Sequence, residues 1–201
     1  MKIGVILLAA GSSSRMGQSK QLLSVGNESM LVKMVKVSLR AGASPLIVVL
    51  GAGEQEHRDV IEDFPVEIVS NQQWSSGMGS SLKCGLNHLA KKFDYVDAAI
   101  VLVCDQPHVS SQYIQSIIER YEISRRSIVA SYYAGASGVP VLFDKSMFPE
   151  ILNLQDDEGA KKLITQHPRL LELVDFPEGS IDLDTPTDYE QFMKRKPFGD
   201  T

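Results

Sequence analysis

Cysteine and tryptophan are scarce in this 201-residue chain, which has two of the first and one of the second. Neither Cys84 nor Cys104 has a second cysteine or a histidine at a metal-finger spacing. Both read as reduced, buried thiols of a cytoplasmic protein, and packing at a strand end outweighs a reactive role for Cys104. Positive charge is in the minority, 20 Lys and Arg against 25 Asp and Glu, for a formal net charge of -5. A broad surface for nucleic acid or anionic membrane needs clustered cations, so the expected ligand is small. No apolar run approaches the roughly 20 residues of a membrane helix. The opening Met1-Lys2-Ile3-Gly4-Val5-Ile6-Leu7-Leu8 is short and runs straight into a glycine-serine loop, so it reads as a buried strand and not as a signal sequence.

Two glycine patterns are missing as well. There is no Gly-x-Gly-x-x-Gly for a dinucleotide and no Gly-x-x-x-x-Gly-Lys-Ser/Thr for a P-loop hydrolase. A Ser-His-Asp set is absent too. His57 and His88 fall in helical stretches and His167 precedes Pro168, and all three read as surface residues. His108, close to Asp105, reads as a turn residue with a better claim to touch substrate. Trp74 reads as packing its loop onto the sheet or stacking on a ring.

The composition, 43% hydrophobic and 22% charged, suits one α/β domain spanning 1–201. Apolar runs at 2–9, 45–50, 66–69, 98–103, 127–133, 139–143 and 171–174 predict strands, the first four carrying the core. Helical periodicity fills the intervals: Leu31, Val35 and Leu39, then 54–62, 80–91 and 111–121. This alternation predicts a single three-layer, Rossmann-like domain with a mainly parallel sheet. Beyond about residue 127 the rhythm changes, with two short strands around Gly135-Ala136-Ser137-Gly138 and helices at 145–154 and 159–166. The closing Lys194-Arg195-Lys196 suits a helix C-terminus.

The first strand leads into Leu8-Ala9-Ala10-Gly11-Ser12-Ser13-Ser14-Arg15-Met16-Gly17-Gln18-Ser19-Lys20. Gly11 allows a sharp turn that brings main-chain amides near a ligand, the serines add donors, and Arg15 and Lys20 add positive charge on either side of Gly17. A nucleoside triphosphate fits such a loop. The fourth strand ends in Cys104-Asp105-Gln106-Pro107, at the carboxyl edge where open α/β sheets bind ligands. Asp105 is the leading ligand for Mg²⁺, which takes one or two carboxylates and completes its shell with water and phosphate oxygens. In Ser180-Ile181-Asp182-Leu183-Asp184-Thr185-Pro186-Thr187-Asp188, extended alternation puts Asp182 and Asp184 on one face, and Asp182 is slightly the better metal candidate. Thr185 caps the next helix, with Pro186 at its first position and Asp188 in its first turn.

These motifs, with Asn71-Gln72-Gln73-Trp74-Ser75-Ser76-Gly77-Met78-Gly79-Ser80-Ser81-Leu82, Gly85, Gly138-Val139-Pro140-Val141 and Asp182-Leu183-Asp184-Thr185-Pro186, resemble the molybdopterin nucleotidyltransferases over nearly the whole chain. Within that family they most resemble the molybdenum cofactor cytidylyltransferases. The resemblance implies a fold like that of nucleotide-diphospho-sugar transferases, a nucleotide-binding part over about 1–126, and an acceptor-facing part with a closing helix over about 127–201. It implies that Ala9, Ala10, Gly11 and Ser12 lie beside the nucleotide, that Arg15 and Lys20 engage its triphosphate, and that Asp105 holds Mg²⁺. Asn71, Ser76, Gly77, Met78, Gly79, Ser80 and Ser81 would approach base and ribose. Gly138, Pro140, Asp157 and Gly159 would face a phosphorylated pterin acceptor, with a molybdoenzyme as a possible partner. Ala-Ala-Gly in the first loop and the serine-rich second loop follow the cytidylyl branch, which implies CTP; the guanylyl branch tends to Ala-Gly-Gly and Gly-Pro-Leu-Ala-Gly. The chain departs from relatives where they have Gly-His-Pro, here Gly138-Val139-Pro140, and Gly-Asp-x-Gly-Ala-Arg, here Asp156-Asp157-Glu158-Gly159-Ala160-Lys161. The implied reaction is attack by an acceptor phosphate on the α-phosphorus of CTP without a protein nucleophile. Other readings are transfer to another phosphorylated metabolite, an isoprenoid-pathway cytidylyltransferase, whose arginine before the proline is missing here, and a catalytically silent nucleotide-binding partner of molybdoenzymes.

Overall fold

The computed structural model describes residues 1–194, so Arg195 and Lys196 of the closing basic run lie outside the described residues. Strand β1 (Ile3–Ala9) is followed by a small hairpin of β2 (Ser24–Val25) and β3 (Glu28–Ser29), then α1 (Met30–Arg40), β4 (Leu46–Leu50), α2 (Glu54–Asp59) and β5 (Glu67–Ser70). Next come α3 (Met78–Lys92), β6 (Ala98–Val103), α4 (Ser111–Ser124), β7 (Ile128–Tyr133) and β8 (Ala136–Asp144). The chain continues through α5 (Phe148–Leu152), α6 (Ala160–Gln166), β9 (Leu171–Asp175) and α7 (Pro186–Lys194). Among the described residues, seven strands form one sheet in the order β5-β4-β1-β6-β8-β7-β9.

The apolar run of β1 is continuous because both of its faces are covered. Ile3, Val5, Leu7 and Ala9 enter one core, with Met34 and Val35 of α1 and Ile114 and Ile117 of α4. Ile6, Leu8 and Ala10 enter the opposite core, with Leu82 and Leu86 of α3, Ile151 of α5 and Leu163 of α6. The result is the expected three-layer architecture. Gly85 sets how closely α3 approaches the sheet: a Cβ there would lie 2.6 Å from Ile6 Cγ2 and 2.8 Å from Val49 Cγ2. Ser29 caps α1 by accepting from the Val32 amide, and Ser110 caps α4 by accepting from the Tyr113 amide.

Pairings β1–β4, β1–β6, β4–β5 and β7–β9 are parallel, so the sheet is mainly parallel as expected. The exception is β8, which runs antiparallel to both β6 and β7. The helix expected over 145–154 is split: Asp144 caps a single 3-10 turn, Lys145–Met147, and α5 starts only at Phe148. The two-residue strands of the hairpin are too short for a periodic signal. Asp182-Leu183-Asp184 is not a strand, yet its alternation survives, with Leu183 fully buried and Asp182 exposed.

The carboxyl ends of β4, β1 and β6 lie side by side, and the pairings of β1 bring Ala9 next to Leu50 and Leu8 next to Val103. Chain connections leave to either side of β1, which makes its end the switch point where such sheets bind ligands. Among the described residues, no helix is long and apolar enough to cross a membrane.

Candidate active site

The loop after β1 is braced from within by a residue that the motif reading passed over. Gln21 is buried, and its Nε2 donates to the carbonyls of Ala9 at 3.0 Å and Gly11 at 2.9 Å. With both amide hydrogens committed, its Oε1 accepts from Ser13 Oγ at 3.1 Å and Ser19 Oγ at 3.0 Å. Ser13 Oγ in turn accepts from the Lys20 amide at 2.9 Å, and Ser13 itself sits at φ +54°, in the left-handed region. Apart from the Met16 amide, which bonds Ser13, the amides of residues 11–15 and 17–19 donate to no acceptor among the described residues. A loop held by its side chains and carbonyls while its amides stay unspent is what a polyanion requires.

His57 is a correction to its reading as a surface residue. It is 1% exposed beneath this loop, its Nε2 lies 2.7 Å from Ser19 Oγ, and burial, opposed by Glu56, lowers its pKa. His88 and His167 stay near the surface, beside Glu67 and Glu150.

A cleft of about 330 Å³ opens at the strand ends, walled by the first loop, by Trp74, Gly77, Met78 and Ser81, and by Cys104 and Asp105. At its edge the Lys20 ammonium donates to Asp105 Oδ2 at 3.0 Å and makes a short contact with Asp184. Burial alone would lower the Lys20 pKa, but the charges and hydrogen bonds of Asp105 and Asp184 outweigh it and hold the pKa above its usual value. The bond from Lys20 pulls Asp184 below the usual carboxylate range, with Arg15 assisting at 3.3 Å. Asp182 behaves differently. Partial burial of its carboxyl, then the charges of Asp105 and Asp184, push it up to about 6, although the residue as a whole is exposed. Cys104 is buried and its thiol is pushed well above its usual pKa, first by burial and then by Asp105, which suits packing and not nucleophilic work.

The Asp182–Asp184 segment is tied to the Asp105 turn by the Leu183 amide, which donates to the Asp105 carbonyl at 2.9 Å. Thr185 and Asp188 cap α7 reciprocally, as read from the sequence. Three carboxylates against the Lys20 ammonium and the Arg15 guanidinium leave net negative charge at this edge, and the donor set suits a hard divalent cation. Among the described residues no three potential ligands enclose a metal by themselves.

The second loop departs from expectation. Asn71 and Ser80 are buried, and their polar groups are used inside the protein: Asn71 Nδ2 donates to Ser80 Oγ and Ser81 Oγ, while Ser80 Oγ bonds the carbonyls of Gln73 and Gly77. Gly79 is packed against protein. A Cβ there would lie 2.3 Å from the Gln155 carbonyl oxygen and 2.4 Å from that of Glu158. At Gly77, φ is +130° and a Cβ would lie 2.4 Å from the Asp156 carbonyl oxygen. Lys83 fastens the same turn by donating to Leu154 O and Asp156 Oδ1, each at 2.7 Å. Gly77, Met78 and Ser81 therefore border the cleft, whereas Asn71, Ser76, Gly79 and Ser80 do not. Asp157 is exposed on the turn, and Gly159 lies against Met78, where a Cβ would be 3.3 Å from its sulfur. Gly138 is buried against the Tyr133 hydroxyl, and Pro140 follows a cis peptide on β8.

Residues 5–170 match the model of the MobA-like NTP transferase domain. The chain belongs to this family. It is a nucleotidyltransferase, in agreement with the resemblance carried by the motifs; Asp182 and Asp184 lie beyond the matched residues. Nicotine blue oxidoreductase of Paenarthrobacter nicotinovorans is 30% identical over 189 residues, which cover 90% of this chain and 91% of that protein. Purine catabolism protein PucB of Bacillus subtilis is 26% identical over 204 residues, covering 94% and 95%. The structure of Rv0371c from Mycobacterium tuberculosis in complex with manganese superposes with a TM-score of 0.81 at 25% identity, covering 97% of this chain and 100% of that one.

Proposed function

We propose that this chain transfers CMP from CTP to the phosphate of molybdopterin or the molybdenum cofactor, with Mg²⁺ and release of pyrophosphate, in the cytoplasm. The observation that carries the reading is the Lys20 ammonium between Asp105 and Asp184, at the end of a loop with unspent main-chain amides. In this reading Ala9, Ala10, Gly11 and Ser12 line the nucleotide, and Arg15 and Lys20 engage the triphosphate. Gly77, Met78 and Ser81 border base and ribose. Asp105 and Asp182 would hold the metal, with Asp184 keeping Lys20 in place. When bound, the metal supplies charge neutralisation on the phosphates. Residues from about 127 onward, including Gly138, Pro140, Asp157 and Gly159, form the acceptor side.

An acceptor phosphate oxygen attacks the α-phosphorus, and the bond from that phosphorus to the bridging oxygen breaks, its electron pair leaving with pyrophosphate. A phosphate monoester is already largely ionised near neutral pH, so alignment and charge stabilisation by Arg15, Lys20 and the loop amides carry the rate, without a protein base. The choice of CTP rests on Ala9-Ala10-Gly11 and the serine-rich second loop, and the choice of acceptor on family likeness. The manganese in the mycobacterial relative supports a divalent ion here. A molybdoenzyme is the natural recipient of the product.

The test is pyrophosphate release from CTP, GTP, ATP and UTP in the presence of Mg²⁺ and molybdopterin. Release with CTP is expected, and silence with all four overturns the proposal. The relative named as an oxidoreductase favours one second reading, a redox protein on the same scaffold. Product analysis in the same assay separates the two, since only transfer joins CMP to the acceptor.

A further inference from the structure

Between β7 and β8 the register jumps: Ala130 pairs with Val141, and the next residue, Ser131, pairs with Gly138. The pairing of β8 with β6 also stops at Val141. Val139 and Pro140 therefore stand outside both ladders at a bulge, and their carbonyls need donors from elsewhere. Side chains supply them. Ser131 Oγ donates to the Pro140 carbonyl at 2.6 Å, while accepting from the Tyr113 hydroxyl at 2.8 Å. The donor to the Val139 carbonyl, at 3.3 Å, is Nε2 of Gln106, which also donates to the Gly179 carbonyl at 3.0 Å.

Gln106 is 2% exposed and immediately follows Asp105. Its two amide hydrogens are committed to β8 and to the Pro177–Ser180 turn, so its orientation is fixed. Its Oε1 is buried and accepts no hydrogen bond among the described residues. One carboxamide thus ties the β8 bulge and the Pro177–Ser180 turn to the turn that bears the proposed metal ligand. The residues nearest in size and shape serve less well. Asn is one methylene too short, Glu cannot donate to two carbonyls and would add a fourth carboxylate, and Met has the length but no donors.

We propose that Gln106 is a positioning residue for the transfer step, holding the Val139–Pro140 bulge and the Gly179 turn in register with Asp105 so that the acceptor phosphate meets the nucleotide in line. This rests on the transferase reading above, with residues 138–140 on the acceptor side. Small displacements of a reacting group cost large factors in rate, so loss of the strut should appear in turnover and acceptor KM and not in nucleotide affinity.

The test compares the parent with Q106M and Q106E. It measures pyrophosphate release from CTP with Mg²⁺ and molybdopterin, CTP affinity by calorimetry, and amide hydrogen exchange. For Q106M, CTP affinity should stay within about twofold while kcat falls by about tenfold or more and acceptor KM rises. Exchange should quicken at 138–142 and 177–183, with the loop at 8–21 unchanged. Q106E should lose at least as much activity, because it cannot donate to either carbonyl. Parent-like turnover in either variant overturns the proposal, as does a parallel loss of CTP affinity and turnover, which would mark a general structural role. If the parent itself releases no pyrophosphate with any nucleotide, the transferase reading fails instead. The exchange data then decide the strut, and unchanged exchange at 138–142 in Q106M removes it.

Discussion

Asp182 and Asp105 sit in one acidic group and are tested in different ways. Burial, then Asp105 and Asp184, raise Asp182 from its ordinary 3.8 to about 6. The folded chain therefore retains a proton there that the unfolded chain has released, so this carboxyl favours folding at low pH. That contribution is full below about pH 4 and is lost as pH rises through about 6. The variant D182N should accordingly melt above the parent at about pH 7.5, with the gap closing toward about pH 4. A melting difference that stays constant across that range would disprove the account. Asp105 is tested by activity. D105N takes away one partner of Lys20 and one proposed metal ligand, and pyrophosphate release should fall by roughly 10²–10³-fold. A variant as fast as the parent would remove Asp105 from the site. Lys20, Arg15 and Asp105 were legible because a charge next to an apolar strand end has few structural explanations. Gln21 and His57 were not, since an amide and an imidazole in a polar stretch look the same whether they brace a loop or face water.

At the start of α3, Gly79 packs against protein outside the cleft, while Gly77 borders it. Glycine there signals close approach, but the sequence carries no label for what approaches, and it is the Gln155–Glu158 turn from the far end of the chain. G79A should destabilise the protein by about 1–3 kcal/mol, as overpacking does, because its Cβ would meet carbonyl oxygens that cannot rotate away. Chemical denaturation measures this, and an unchanged midpoint would mean that the turn is free to shift. Strands β1, β4 and β6 were readable to within a residue, since continuous Val, Ile and Leu runs mark strands buried on both faces. The reversal of β8 and the split before α5 were not. Strand direction leaves no periodic trace, and the break at Asp144–Met147 depends on a local cap.

At the scale of the whole molecule, residues near both ends of the described chain and from its middle converge on one cleft, because the switch in strand order sets the end of β1 beside that of β6. Sequence could place each motif at a carboxyl edge, but bringing Asp184 onto Lys20 needed the path of the chain after β9, which no local pattern encodes. A ligand that bridges such separated segments should stabilise the entire fold. CTP with Mg²⁺ at about 100 times its dissociation constant should add about 2.7 kcal/mol, read as a raised melting temperature. GTP raising it further at equal concentration would reverse the base assignment. Lys20 also bears on the order in which partners arrive. Its ammonium already bridges Asp105 and Asp184 and offsets part of their charge. Under the proposed reading, an incoming polyphosphate offers that ammonium another anion, and the carboxylates it leaves are free for the metal that accompanies the nucleotide.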